Sequence, residues 1–360
     1  MKELASQLIV GLKPYFDSLL RKDPHSGSYY LYDDELGDRA SCCTTGLAAS
    51  LYLLDGKLNN SNESKEIVCQ LAEEIRRRQM PSGAFGQPFY ILEGEDDIAD
   101  IAEIGAVANS LYYISKMLGS EAAKESLLVS AQYLLTQVSD RNPAVIWKRQ
   151  GESFDVLNGD MYAALAFGKA YELSNREIYA EKVNQIFEHL ANRFGKNTPG
   201  WWPYIEDLDG KVIMGNSVAY QGTIVSLANY ITPILDEDLK KRWEKISADA
   251  IQTIIEAIKH SPTDETEAPW WARDWDNSWE LHTALLKTGV TADIQQKGKS
   301  RFEEVVSDLQ RAGAELFKPQ IKNDVPNRSP VTTTFRRAAG FAGIASNIIL
   351  EEIKLKNQMR

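Results

Sequence analysis

The chain is poor in most of the features that name a chemistry at once. Only three of its 360 residues are cysteine: Cys42, Cys43 and Cys69. Three thiols cannot complete a disulfide framework, and the odd count favours a reducing compartment. Cys42 and Cys43 are adjacent, and the four histidines do not stand at ligand spacing to them. The short Cys/His pattern of a structural zinc site is therefore missing. Basic residues are also short, 40 Lys+Arg against 51 Asp+Glu, for a net charge of −11. A nucleic-acid backbone needs cationic contacts, so no nucleic-acid partner is expected. No run of apolar residues approaches the ~18 that a membrane span requires. The N-terminal stretch MKELASQLIVGLKPYFDSLL has an acid at position 3 and apolar residues at helical spacing. It lacks the continuous apolar run and small-residue cleavage site of a signal peptide. A soluble, cytoplasmic protein is expected, although a mature secreted chain would read the same way. There is no Gly-rich phosphate loop, no G-x-S-x-G elbow and no H-E-x-x-H. No convincing run of alternating strand residues appears either.

What is present is helical period from end to end. The chain is 43% hydrophobic and 25% charged, ordinary for a globular protein with a sizeable core. Six segments mix Ala, Gly, Ser and Thr with large apolar residues. They begin at Cys42, Glu103, Asp160, Ala219, Ser278 and Thr334, at intervals of 61, 57, 59, 59 and 56 residues. That is an internal repeat of about 60 residues. Between them lie amphipathic segments: Glu3–Leu20, Ser64–Arg78, Ala122–Val138, Glu177–Phe194, Leu239–His260 and Gln296–Phe317. A helix with one charged face borders solvent, and a helix apolar all round is buried. The chain thus reads outer, inner, outer, inner, six times. Links from inner to outer helices are short. Links from outer to inner helices are long, and ordered long loops usually carry function. Six hairpins can stack as an open solenoid or close on themselves; the near-constant period and wholly buried inner helices favour closure, so the expected architecture is an all-α (α/α)6 toroid of six helical hairpins in inner and outer rings. It occupies residues 1–360 as a single domain, with all six long loops at one end.

In this respect the whole chain resembles the six-hairpin superfamily. Its enzymes include glycoside hydrolases, polysaccharide lyases and sugar epimerases, and terpenoid cyclases use related barrels. Asp160 opens NGDMYAALAFGKAYEL, and that opening resembles unsaturated glucuronyl hydrolases, in which an acid starts an inner helix followed by small residues. The resemblance implies that Asp160 is a general acid or base. An Asp at a helix start is also an N-cap, and one residue can do both.

Other candidates come from the long loops. The second loop gathers Asp96, Asp97, Asp100 and Glu103, and packed acids repel unless protonated, paired or metal-bound. Its DDIAD resembles the DDxxD of class I terpene synthases, which would imply magnesium; Gln79, Gly83 and Phe85 resemble the QxxxGxF/W element of triterpene cyclases. That element occurs once here, and a DxDD protonating motif is absent. Helix-start acids are the simpler source of DDIAD. The fifth loop brings Trp270, Trp271, Arg273, Asp274, Trp275, Asp276, Trp279 and His282. The first brings Tyr32 and Asp34, the fourth brings Trp202 and Tyr204, and Tyr220 and Gln221 open the fourth inner helix. Aromatic rings stack on the apolar faces of sugars while acids bind hydroxyls. The same rings would also plug the mouth of a barrel, and His282 also fits a packed core. Arg336 in an inner helix needs an anion, from the protein or from a substrate.

The expected function is therefore carbohydrate-active, of hydrolase, lyase or epimerase type. The substrate is a small molecule or oligosaccharide, a neutral glycan or one containing uronic acid. The catalytic acids are expected among Asp160, Asp97, Asp100, Asp274 and Asp276. Tyr32, Asp34, Phe85, Trp202, Tyr204, Tyr220, Gln221, Trp271, Trp275, Trp279, His282 and Arg336 are expected to contact substrate. No cofactor or metal is expected. The alternatives are a terpenoid cyclase holding magnesium at DDIAD and a toroid that only binds.

Overall fold

The computed structural model describes residues 1–86, 99–148, 153–259, 292–318 and 333–358. Among them are eleven α-helices: α1 (Lys2–Leu19), α2 (Cys42–Leu58), α3 (Asn62–Arg78), α4 (Ile101–Leu118), α5 (Glu121–Thr136), α6 (Leu157–Ser174), α7 (Glu177–Arg193), α8 (Val218–Ala228), α9 (Glu237–Lys259), α10 (Ala292–Ala312) and α11 (Thr334–Gln358). They fall where the period places them, within a few residues. The small-residue segment from Ser278 lies outside the described residues. No described helix is long and apolar enough to cross a membrane.

Burial follows the two classes of helix. In α1 the buried residues are Ala5, Leu8, Ile9, Leu12, Phe16 and Leu19, one stripe at spacings of three and four. In α2 every residue from Cys42 to Leu54 is buried, and in α6 every residue from Leu157 to Ala170. Small residues in these inner helices let backbones approach. A Cβ placed on Gly105 of α4 would stand 2.4 Å from the backbone oxygen of Tyr162 in α6. The inner helix α8 ends at Ala228, short of the small-residue run that continues to Ile231. Pro233 follows in a 3-10 turn, Thr232–Ile234, that cannot extend the helix.

Two compact units make up the chain. The first comprises Met1–Ile98, Asn109–Ser126 and Ser300–Arg360. Here the last inner helix packs on the first: a Cβ on Gly343 of α11 would meet Leu47 of α2 at 2.7 Å. Phe16 of α1 meets Phe335 of α11 edge-on at 5.4 Å. Buried side-chain hydrogen bonds join Ser50 to Ser110 and Asn109 to Asn347, both at 2.8 Å. Contact between the first and sixth repeats is what closure of a ring requires. A clamp secures it: the Thr333 hydroxyl donates to Asp33 at 2.7 Å, and the Thr334 N–H donates to Glu35 at 2.9 Å.

The second unit comprises Ala99–Ala108 and Leu127–Lys299. It holds α6 and α8 as inner helices and α7 and α9 as amphipathic ones. The sequence offered no strands, and among the described residues there are six. β1 (Leu20–Lys22), β2 (Tyr29–Asp33) and β3 (Asp38–Arg39) form an antiparallel sheet in the first unit. β4 (Phe154–Val156), β5 (Pro203–Asp207) and β6 (Val212–Asn216) form another in the second. These strands are two to five residues long and are covered unevenly on both faces, so no clean alternation marks them. The readable signal was Asp209–Gly210, a hairpin-turn dipeptide in which Gly210 takes φ +85°. Asp207 completes the turn by accepting from the Asp209 and Lys211 N–H groups, each at 2.9 Å.

Candidate functional site

The site is built in the second unit around one short segment, residues 144–148, which leaves a turn at 143–144 and bends at Lys148. Three backbone hydrogen bonds tie it down, two of which make up the isolated bridge between Val138 and Ile146. Ser139 N–H donates to Val145 and Trp147 N–H to Gln137, both at 2.9 Å. Ile101 N–H, at the start of α4, donates to the Lys148 carbonyl at 3.0 Å. A side chain supplies a further tie: the Ile146 N–H donates to Asp160 Oδ1 at 2.8 Å. The segment thus links the starts of two inner helices, α4 and α6.

At its end Lys148 meets two residues expected from the sequence, and a third stacks on one of them. Its ammonium lies 4.0 Å from Asp100 Oδ2. It donates to the Tyr204 hydroxyl at 3.2 Å and stands 5.7 Å from the centre of that ring. The Tyr204 ring stacks on Tyr220, centroids 4.0 Å apart and planes inclined by 22°. Asp100 is fully buried, whereas Lys148, Tyr204 and Tyr220 are half-buried. The other Asp100 oxygen, Oδ1, accepts the Ala102 N–H at 2.7 Å and caps α4. A buried carboxylate, a lysine and a stacked tyrosine pair therefore converge at the N-terminal end of an inner helix. One carboxyl oxygen is fixed by the helix and the other faces the ammonium. Chemically this set offers an acid/base group, two hydrogen-bonding heads and aromatic surface.

Asp160 sits in a second cluster. It is the fourth residue of α6, and the helix begins at Leu157 with Val156 as an N-cap that makes no side-chain bond. Asp160 is therefore not the cap of its own helix; its Oδ1 serves Ile146 instead. Its carboxyl faces that of Asp155 on β4, with oxygens of the two within 4.8 Å. Burial, reinforced by the Asp155 charge, raises the Asp160 pKa well above the ordinary 3.8; the Ile146 N–H opposes this. Asp155 Oδ2 in turn faces His189 Nε2 on α7 at 2.8 Å. Alongside, Arg193 grips Glu206 with two hydrogen bonds of 2.7 Å, and Asn197 adds a third. Burial raises the Glu206 pKa, and the Arg193 fork works against that shift.

The ligand atoms of Asp155, Asp160 and His189 all lie within 4.8 Å of one another, a spacing that a metal ion would accept. The hydrogen bonds do not fit one. Asn142 uses its Oδ1 to accept the Ala144 N–H, so its amide nitrogen faces His189 Nδ1 at 3.4 Å. Nδ1 therefore accepts, and Nε2 carries the hydrogen given to Asp155. A nitrogen bearing hydrogen is not a ligand.

The remaining expected residues are placed as follows. Trp202 is buried; its indole donates to the Leu190 carbonyl at 2.7 Å, and its ring stacks on Trp243 at 5.7 Å. Gln221 is also buried: it accepts from Trp202 N–H and donates to the Gly200 and Ala250 carbonyls. Both tie a loop to α8 and α9, with their polar atoms given to backbone. The other four belong to the first unit. Tyr32 lies half-buried under Arg21, Asp34 is exposed and Phe85 is fully buried. Arg336 is half-buried, its N–H donating to the Thr333 hydroxyl at 3.0 Å. Gln79 donates to the Gly83 and Ser126 carbonyls, a loop latch. Asp97, Asp274, Asp276, Trp271, Trp275, Trp279 and His282 lie outside the described residues. Sequence reasoning missed Lys148, Asp155, His189, Arg193 and Glu206. Lys148 and Asp155 stand singly in a loop, and His189 and Arg193 look like solvent-side residues of an amphipathic helix.

Solved structures share this architecture along nearly the whole chain. A cellobiose 2-epimerase from Spirochaeta thermophila DSM 6192 matches with a TM-score of 0.67 at 12% identity, over 97% of this chain and 96% of its own. An unsaturated glucuronyl hydrolase specific for heparin gives 0.60 at 12% identity, over 98% and 97%. An α-1,6-mannanase from Salegentibacter sp. HEL1_6 gives 0.59 at 14% identity, over 97% and 99%. The chain has the (α/α)6 toroid fold. No family model matches the sequence, and no curated protein matches it. At these identities the likeness carries the fold, and chemistry must be argued from the site.

Proposed function

We propose that this (α/α)6 protein is a carbohydrate-active enzyme, of hydrolase, lyase or epimerase type, acting by carboxylate acid/base catalysis. The observation that carries the reading is the meeting of Asp100, Lys148, Tyr204 and Tyr220 at the start of α4. Asp100 exchanges the proton, and its capping bond to Ala102 holds the carboxyl in one orientation. Lys148 and the Tyr204 hydroxyl hydrogen-bond sugar hydroxyls or a uronate carboxylate. Tyr204 and Tyr220 provide the apolar surface on which a sugar ring rests. A partner carboxylate is expected from Asp97, Asp274 or Asp276. The three structural neighbours named above bear the names of a sugar epimerase and two glycan hydrolases, which supports the same substrate class. The terpenoid-cyclase alternative would need Asp100 as a magnesium ligand, and one of its oxygens is already given to the Ala102 N–H of its helix.

A substrate panel tests the reading. Purified protein is incubated with β-linked and α-linked gluco- and manno-oligosaccharides and with unsaturated uronyl disaccharides. Products are followed as new reducing ends, as epimers by anion-exchange chromatography, and as loss of uronyl ultraviolet absorbance. Turnover of one class is expected. Neither turnover nor saturable binding of any sugar in the panel would overturn the proposal.

A further inference from the structure

The buried carboxyl pair beside the site has no part in the proton transfer proposed above, yet the geometry connects it to Lys148. Asp155 and Asp160 are almost wholly shielded from solvent, 3% and 0% exposed. Asp155 Oδ1 and Asp160 Oδ2 have no hydrogen-bond donor among the described residues. Two buried carboxylates facing each other so closely cannot both be ionised. A single proton between the carboxyls resolves both orphaned oxygens at once. The other two oxygens are already served: Asp155 Oδ2 by His189 and Asp160 Oδ1 by Ile146 N–H. The pair is thereby complete with one proton and one negative charge. The neighbouring charges suit that state, with Arg193 from α7 neutralised by Glu206 from β5, and Lys148 facing Asp100.

We propose that Asp160 is a positioning residue, paired with Asp155 over one shared proton, that fixes Lys148 in its contacts with Asp100 and Tyr204. The path is short. Asp160 holds the N–H of Ile146, a fully buried residue, and Lys148 lies two positions further on in the same segment, its carbonyl held by the Ile101 N–H at 3.0 Å. Without its acceptor the buried Ile146 N–H is orphaned and the segment loosens. The inference rests on the functional reading for its importance to catalysis. Its geometry can be tested separately.

The experiment measures acylation of individual lysines by an N-hydroxysuccinimide ester, quantified by peptide mass spectrometry on the full chain. Exposed Lys211, in the β5–β6 turn, is the internal reference. Asp160→Ala is expected to raise Lys148 labelling relative to Lys211 by ~10-fold, the size of one buried hydrogen bond in a local opening equilibrium. Asp160→Asn keeps an acceptor for Ile146 and a donor for Asp155, so it restores the wild-type ratio. If Asp160→Ala does not fold, the wild type and Asp160→Asn are compared across pH. The wild-type ratio rises at alkaline pH, where the shared proton leaves, and the Asp160→Asn ratio stays flat. An unchanged ratio in Asp160→Ala overturns the positioning role. So does a parallel rise at Lys211, which would report general unfolding. Failure of Asp160→Asn to restore the ratio overturns the shared proton. None of these outcomes depends on turnover, so failure of the enzyme assignment remains distinguishable.

Discussion

Asp160→Asn should change how the stability of this protein depends on pH. The carboxyl is fully buried and its folded-state pKa is raised, by desolvation first and by the Asp155 charge second. The folded chain therefore keeps a proton that the unfolded chain gives up near 3.8. A proton held only by the folded state makes stability fall as pH rises. The contribution is fully present below the unfolded value and is lost as pH climbs from there through the folded value. The slope over that window is about 1.4 kcal/mol per pH unit. Asparagine mimics the neutral acid, since its oxygen accepts from Ile146 and its amide donates to Asp155, but it does not titrate. The unfolding free energy of Asp160→Asn minus that of the wild type should thus grow by about 1.4 kcal/mol per unit as pH rises above about 4. Reversible urea unfolding of both proteins at unit steps from about pH 4 to about pH 7 reads this directly. A difference that stays constant across the series would refute the reasoning. A difference that shrinks with pH would show that the folded state holds Asp160 ionised.

Other contacts give separate tests. Arg193→Ala leaves the nearly fully buried Glu206 without its fork, which should cost about 3–5 kcal/mol in chemical unfolding; a loss under 1 kcal/mol would mean that water replaces the guanidinium. Thr333→Val removes the donor to buried Asp33, and about 1–3 kcal/mol should disappear from the thermal or urea transition. Gly105→Ala drives a methyl into the Tyr162 backbone, so α4 and α6 must separate; calorimetry should show destabilisation of at least about 1–3 kcal/mol.

The helical frame was legible because burial is written in the period. α1 and α7 carry one apolar stripe, and α2 and α6 have no polar face at all. The contact of α11 with α2 agrees with the closure that the near-constant repeat favours. The site was legible in part. Asp100 and Tyr204 from long loops and Tyr220 from the start of an inner helix stood out as an acid and aromatics, and the structure brings them together. What joins them, Lys148, did not stand out, because a single lysine in a loop has no pattern. The partner of Asp160 was hidden for a different reason. Asp155 reaches it through a strand pairing between loops 50 residues apart, and only the folded register of β4 on β5 brings His189, Arg193 and Glu206 to the same place. Trp202 and Gln221 show the converse: residues that look like a cleft wall can be spent on anchoring a loop, and only their hydrogen bonds tell the two apart.

The central claim is that Asp100 exchanges a proton with a sugar. It is tested most directly by kcat/KM of Asp100→Asn on a saccharide that the wild type turns over, with folding checked by circular dichroism. Loss of an acid/base group predicts a fall of about 10²–10⁴-fold carried mainly by kcat. A folded Asp100→Asn protein with wild-type kcat/KM would contradict the account.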